Sequence, residues 1–328
     1  MASINNNGAV LIGKYLSCDC FDEDRTAGAI THFHGDHIRK LESCLQFYDD
    51  IFVTHATRDV LIAIKGDWLK YRSNLKAVEC MNTFDYRDEK ITFYPVVHTL
   101  GSAQILVESN SCRILYTGDF REGTSPIEVD ILVIDSTYGG PQFNRTYPRD
   151  YAIKTLVSKI KERLIVGPVC ILANRGKLQE SMNILYRADF EVPFLFHQKV
   201  VRISKVFKDY GMEVGDFIQI GTREAEEIIR TKQPHIAFYP LGSRVHAEEI
   251  YMLISISDWD RIKPIFTQIT GKKYIIGLPD HCEFNGLIEF VKQCRPKLVI
   301  TDAYRCGNAE IFARNIKRRL NIKAKAMP

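Results

Sequence analysis

With 328 residues, 45% of them hydrophobic and 26% charged, the chain has the make-up of a globular protein, long enough for two domains rather than one compact core. No apolar run approaches the ~18 residues of a membrane span, and Met1 to Leu16 lacks the apolar centre of a secretory signal, which points to an intracellular protein, cytoplasmic or nuclear, without a membrane partner. A net charge of +4 allows a polyanionic partner without requiring one, and nine cysteines, odd in number and lacking any C-x-x-C pair, fit neither a disulfide framework nor a cysteine zinc cluster.

In chain order, short β-rich runs come first: Ala9–Leu11, Ala29–Thr31, Ile51–Thr54, Lys76–Val78, Ile91–Val96, Gln104–Glu108, Arg113–Thr117 and Ile131–Ile134 read as strands. A helix-period stretch from Thr57 to Leu69, interrupted at Gly66, lies among them. After Pro148 the character changes. Helical runs (Tyr151–Arg163, Lys177–Leu185) alternate with apolar strands (Val169–Ala173, Val192–Phe196, Phe217–Ile220, Ile236–Tyr239), as in a parallel α/β unit. From about Lys272 the earlier style returns, with strand Tyr274–Gly277, a helix, strand Leu298–Thr301 and a final helix. The reading is therefore α/β, with residues 148–271 inserted between a first part, 1–147, and a last part, 272–328. The basic segment from Arg314 to Lys325 reads either as a solvated helix face or as a phosphate contact.

The densest chemistry lies in Thr31-His32-Phe33-His34-Gly35-Asp36-His37. Three imidazoles and a carboxylate this close cannot all be satisfied in a core, and imidazole suits Zn²⁺. Downstream, His98 and Asp119 both follow strands: the first is one more imidazole for the His32/His34 ion, the second a carboxylate able to bridge two ions, with Gly118 allowing close backbone approach. Asp36 and His37 fall to the second ion. Asp19, ahead of the cluster, either orients a ligand imidazole or sits on a surface loop. Arg175-Gly176-Lys177, at a helix start, and the weaker Gly242-Ser243-Arg244 are candidate phosphate cradles that also read as plain turns. His55, His197, His235 and His246 read as structural or surface residues.

These motifs resemble the metallo-β-lactamase superfamily and, within it, the β-CASP nucleases, essentially end to end. Asp19, His32-x-His34-x-Asp36-His37, His98 and Asp119 are similar to its four general motifs. Ile134-Asp135-Ser136-Thr137-Tyr138-Gly139 resembles motif A, with Asp135 its acid, and Leu278-Pro279-Asp280-His281 resembles motif B, with His281 its histidine. The resemblance implies an αββα sandwich with an inserted β-CASP α/β domain, a cleft between the domains for nucleic acid, and metal-assisted phosphodiester hydrolysis. Asp36 and the metal ligands would activate water, and His281, held by Asp135, would protonate the leaving oxygen. Two zinc sites are implied, the second weak, with manganese as an alternative. Motif C departs from the RNA-processing pattern: Leu298–Thr301 runs into Asp302-Ala303-Tyr304-Arg305-Cys306-Gly307 without a histidine, and Asp302 either replaces that ligand or caps the turn.

The missing histidine, the aspartate of motif A and the segment Leu16–Asp22 resemble the DNA-directed Artemis and Apollo type, although Lys177-Leu178-Gln179-Glu180 resembles the RNA-processing subunit. DNA is thus favoured over RNA, as substrate of a 5′ exonuclease or structure-processing nuclease in repair. An RNA endonuclease or 5′ exonuclease, an inactive scaffold subunit and a small-molecule metallohydrolase are the competing readings. No appended interaction module is visible, and protein partners are not indicated.

Overall fold

A computed structural model describes residues 1–245, 250–255 and 266–328. The chain divides into two compact units, Met1–Asn144 with His281–Pro328, and Arg145–Asp280. Among the described residues no helix is long and apolar enough to cross a membrane.

The first unit contains two sheets. One has the order β1 (Ala2–Ile4), β2 (Val10–Ile12), β3 (Leu16–Cys18), β4 (Ala27–Ala29), β5 (Asp50–Thr54) and β6 (Leu75–Val78). The other is built from β7 (Thr83–Tyr86), β8 (Glu89–Pro95), β9 (Ala103–Ser109), β10 (Cys112–Tyr116), β11 (Ile131–Ile134), β19 (Leu298–Asp302) and β20 (Lys323–Met327), lying in the order β20-β19-β11-β10-β9-β8-β7. Side-chain alternation along the second sheet assigns its two faces. Ile105, Val107, Ile114, Tyr116, Val133 and Ile300 join Val10, Ile12, Leu16 and Phe52 of the first sheet in one core. Their neighbours Leu106, Leu115, Leu132, Ile134 and Val299 pack instead on helices Phe284–Cys294 and Ala309–Leu320. The first sheet carries helix His55–Lys65 beside β5 and β6, so helices and sheets stack as layers. The mixed α/β class with several sheets agrees with the sequence reading.

The second unit is one sheet flanked by helices: β14 (Ile218–Gln219), β13 (Phe194–Phe196), β15 (Ile236–Pro240), β12 (Val169–Ala173), β16 (Ile250–Ser255), β18 (Lys273–Gly277) and β17 (Phe266–Thr270), in that order. All pairs are parallel except β17 with β18. Helices Arg149–Leu164, Lys177–Arg187, Gln198–Asp209 and Arg223–Arg230 supply the connections expected of parallel strands.

Several boundaries differ from the sequence reading. The strand expected at Ala29–Thr31 ends at Ala29, because Thr31 turns its amide onto the carboxylate of Asp19. The helix expected over Thr57–Leu69 stops at Lys65: Gly66, at φ 117°, breaks it, and a 3₁₀ turn, Asp67–Tyr71, follows. The basic C-terminal segment is not one helix, since Asn321, at φ 56°, ends the helix and the lysines at 323 and 325 lie on β20.

Motif A is pressed onto the final helix. A Cβ on Gly139 would lie 2.6 Å from Cβ of Phe312, which is fully buried. Phe312→Ala is expected to lower the stability of the first unit by about 3–5 kcal/mol, read as a lower midpoint in chemical denaturation.

Candidate metal centre

Every candidate ligand stands just beyond a strand end. Asp19 follows β3, residues 32–37 follow β4, His98 follows β8, Asp119 follows β10 and Asp135 follows β11; His281 stands four residues after β18. Main-chain pairing thus fixes the backbone immediately before Asp19 and Asp135 and close before His32, His98 and Asp119. Gly118 meets the anticipated close approach: at φ 56°, a Cβ there would lie 2.8 Å from Thr31.

The structure brings the cluster together around Asp119. Its Oδ2 lies 3.3 Å from His37 Nε2, 3.5 Å from His32 Nε2, 3.8 Å from His98 Nε2 and 4.0 Å from His281 Nε2. His34 Nδ1 is 3.2 Å from His98 Nε2. Three groups have donor atoms close enough together to hold an ion: His32, His34, His98 and Asp119; Asp36, His37 and Asp119; and Asp119, Asp135 and His281. Asp36 is the outermost, its side chain 46% exposed and 3.5 Å from His37 Nε2.

Asp19 is buried and held at φ 60°, a conformation aspartate tolerates better than most residues. Its Oδ1 accepts the Thr31 amide at 2.7 Å, and its Oδ2 lies 2.7 Å from His37 Nδ1. The same Oδ2 accepts the hydroxyls of Thr31 and Tyr116 at 2.7 and 2.9 Å. That arrangement fixes the His37 ring and turns Nε2 toward Asp119. Thr31 Oγ1 also lies 3.0 Å from His32 Nδ1. On the other side, Asp135 Oδ2 is 2.9 Å from His281 Nδ1, while its Oδ1 accepts the amide and hydroxyl of Thr137.

Burial divides the two buried histidines according to their neighbours. For His32, burial and the imidazoles of His37 and His34 hold the ring far below its ordinary pKa, hence neutral. For His37, burial also favours the neutral ring, but Asp119 and Asp19 together outweigh it and raise the pKa well above the usual value. Burial opposes the charge of Asp119, yet His37 and His281 overcome it and hold the carboxyl well below its usual range.

The side chains fit a metal. Among the described residues, Nε2 of His32 and of His37 is buried without a hydrogen-bond partner, each an omission costing about 1–3 kcal/mol unless another group engages it. Ligands about 2.0–2.1 Å from a tetrahedral zinc lie about 3.3 Å apart, close to the His34–His98 spacing.

Asp302 behaves as a cap, not a ligand. Its Oδ1 accepts the amides of Tyr304 and Arg305 at 3.0 and 3.1 Å, and its Oδ2 pairs with Arg305 Nη1 at 2.8 Å. Burial raises its pKa, with Arg305 opposing. The cradle expected at Lys177 also fails. Its side chain is 2% exposed and its ammonium is committed to Glu180 at 2.7 Å and Asp280 at 3.6 Å, while the Gln179 side chain accepts the Gly176 amide. Arg175 and Arg244 are exposed and Ser243 half-buried. His55 is exposed beside Glu79, His197 caps helix Gln198–Asp209, and His235 is buried with Nδ1 2.8 Å from the Gln233 carbonyl. His246 lies outside the described residues.

Sequence reasoning missed Thr31, Tyr116, Thr137 and Arg305. Thr31 abuts the cluster and Tyr116 ends the strand before Asp119, the only sequence signals that could have found them.

No protein-family profile matches the chain. Its relatives include an "Uncharacterized protein in lig 3'region" of Acidianus ambivalens, 36% identical over 38% of this chain and 91% of that one. An "RNase J-like protein" of Methanocaldococcus jannaschii is 27% identical over 62% of this chain and 56% of that protein. A "Probable DNA ligase" of Opitutus terrae is 22% identical over 88% of this chain but 28% of its own length. Others, matched over about half of this chain, are named cleavage and polyadenylation specificity factor subunits or endoribonuclease YSH1. The chain thus spans little more than half of the RNase J-like protein and much less of the others named for an activity. A crystal structure of a protein of unknown function from Enterococcus faecalis matches with a TM-score of 0.62 at 12% identity, covering 94% of this chain and 81% of that one. It has the same fold. The layered α/β scaffold of this chain gathers histidines and carboxylates that could hold metal ions beyond its strand ends. The chain is similar to nucleases of the metallo-β-lactamase superfamily, at 27% identity to the RNase J-like protein and to a cleavage and polyadenylation specificity factor subunit of Dictyostelium discoideum.

Asp119→Ala should abolish stoichiometric metal in the purified protein, and Asp19→Ala, which frees the His37 ring, should weaken metal affinity about 10–100-fold. Elemental analysis and competition with a chelating dye would measure both; an Asp119→Ala protein with full metal content would contradict the assignment.

Proposed function

We propose that the protein is a metal-dependent nuclease that hydrolyses phosphodiester bonds of DNA, working from 5′ ends or at end structures in repair. The observation carrying the reading is the Asp135–His281 pair, 2.9 Å apart, with His281 Nε2 facing the Asp119 carboxylate at 4.0 Å. An imidazole so held beside a metal cluster is suited to give a proton to a departing oxygen.

His32, His34, His98 and Asp119 would hold one ion, and Asp36, His37 and Asp119 a second. The imidazole-rich set suits zinc, with manganese as an alternative. When bound, the ions neutralise phosphate charge and lower the pKa of a water. The chain's own residues do the rest: Asp19 fixes His37, Thr31 bridges Asp19 and His32, and Asp135 accepts the Nδ1 proton of His281, leaving Nε2 to carry the proton given to the leaving oxygen. With Asp302 committed to Arg305, the second site lacks a further ligand, which supports weaker binding there. We read Arg145–Asp280 as the inserted β-CASP domain.

DNA as substrate is supported by the ligase of Opitutus terrae, whose likeness runs along most of this chain, and by the missing histidine after β19. RNA is the second reading, favoured by the RNase J-like and endoribonuclease names of other relatives. The complete ligand set speaks against an inactive scaffold.

Matched 5′-phosphorylated single-stranded DNA and RNA oligonucleotides, resolved on a denaturing gel, decide between them. DNA shortened from its 5′ end is expected; RNA cut with DNA spared would overturn the DNA assignment. His281→Ala should retain its metal and lose about 10²–10⁴-fold in cleavage rate. Normal turnover in that variant would remove His281 from its role.

A further inference from the structure

The 3₁₀ turn Asp67–Tyr71 presents two aromatic rings to solvent. Tyr71 is 85% exposed and Trp68 is 41% exposed, on a molecule whose other large rings are mostly buried. The indole is held, not loose. Its Nε1 donates to the Lys65 carbonyl at 3.0 Å, and the Arg72 guanidinium lies 5.4 Å from the ring centroid. Gly66 makes room for it: at φ 117°, a Cβ there would stand 3.2 Å from the indole Cδ1, so a side chain would be both strained and crowded. From Lys65 to Lys76 the chain carries four cations, Lys65, Lys70, Arg72 and Lys76, against the single acid Asp67. Lys65 and Lys70 are paired with Glu42 and Asp67 at the surface, where such pairs are weak and readily exchanged. Arg72 has no carboxylate partner among the ion pairs of the described residues and lies exposed.

Exposed, pre-oriented aromatics interleaved with cations are what a single strand of nucleic acid needs, with rings to stack bases and cations to follow the phosphates. The patch stands at the opposite strand ends from the metal centre: it precedes the start of β6, which runs parallel to β5 and β4, and the ligands of residues 32–37 follow the far end of β4. Helix His55–Lys65 starts where Thr54 and Thr57 donate to the Gly101 carbonyl, in the turn after His98, and ends at the patch. Its 11 residues span about 16 Å, roughly five nucleotides at a stacked spacing of about 3.4 Å.

We propose that Trp68 and Tyr71, with Lys70 and Arg72, form a stacking platform for single-stranded nucleic acid, engaging the strand at least about five nucleotides from the scissile bond. The inference rests on the nuclease reading and adds to it a dependence on strand length.

The test uses the full chain carrying Trp259→Phe, which leaves Trp68 as the sole tryptophan, with chelator present to prevent cleavage. A 5′-phosphorylated, fluorophore-labelled 12-mer (about twice the distance to the patch) should quench Trp68 emission saturably, less so at higher salt. Labelled-strand anisotropy should show binding about 10-fold or more weaker in Tyr71→Ala and in Trp68→Ala. With metal restored, these variants should raise KM for the 12-mer at unchanged kcat and leave trinucleotide cleavage unaltered. Unquenched Trp68 with equal binding by wild type and the double variant would overturn the platform and leave the nuclease reading standing. If the wild type with metal neither binds nor cuts any strand, both fall.

Discussion

One carboxylate oxygen organises this protein. Four imidazole nitrogens converge on Asp119 Oδ2 within 4.0 Å, and three of them, those of His32, His37 and His98, belong to side chains without solvent contact. Gathering so many lone pairs and so few protons in a dry place is unfavourable unless positive charge resides there. The opposed behaviour of His32 and His37 shows how narrowly the balance is set: similar burial, yet one ring is driven neutral and the other toward its cation by the second carboxylate behind it. The architecture serves that concentration of charge. Two sheets packed face to face bring the ends of β3, β4, β8, β10 and β11 to one rim, where hydrogen-bonded strands hold each loop in register.

Local spacing made the centre legible. His32, His34, Asp36 and His37 occupy six consecutive positions, and His98, Asp119 and Asp135 each follow an apolar strand, so residue type and strand end coincide. The supporting groups are less legible: Thr31, Thr137 and Arg305 act on near neighbours but are ordinary turn residues by type, and Tyr116 acts at a distance. Tyr116 reaches Asp19 across 97 residues, and nothing around Tyr116 itself differs from an ordinary strand end. Burial misled at Lys177: a glycine-basic pair before a helix looks like a phosphate cradle, and only the fold reveals two carboxylates already surrounding the ammonium. Asp302 was balanced between ligand and cap until its neighbour Arg305 was seen to claim it.

The periodicity of the first unit explains which elements were overlooked. Strands of three or four residues, such as β1, β3 and β7, are too short to display alternation, and β20 is made of Lys-Ala-Lys-Ala-Met, a composition that favours helix when read alone. Its parallel pairing with β19 decides the matter. Here tertiary context outweighs propensity, as it does wherever an edge strand finds a ready neighbour.

The order in which the chain is made acquires significance from the pairing of β11 with β19. Ile131 faces Leu298 in that ladder, and Asp135 meets a histidine 146 residues further on. A ribosome delivers His32 through Asp119 long before it delivers His281, so the nascent chain carries the imidazoles and carboxylates gathered around Asp119 before the histidine that Asp135 is to hold.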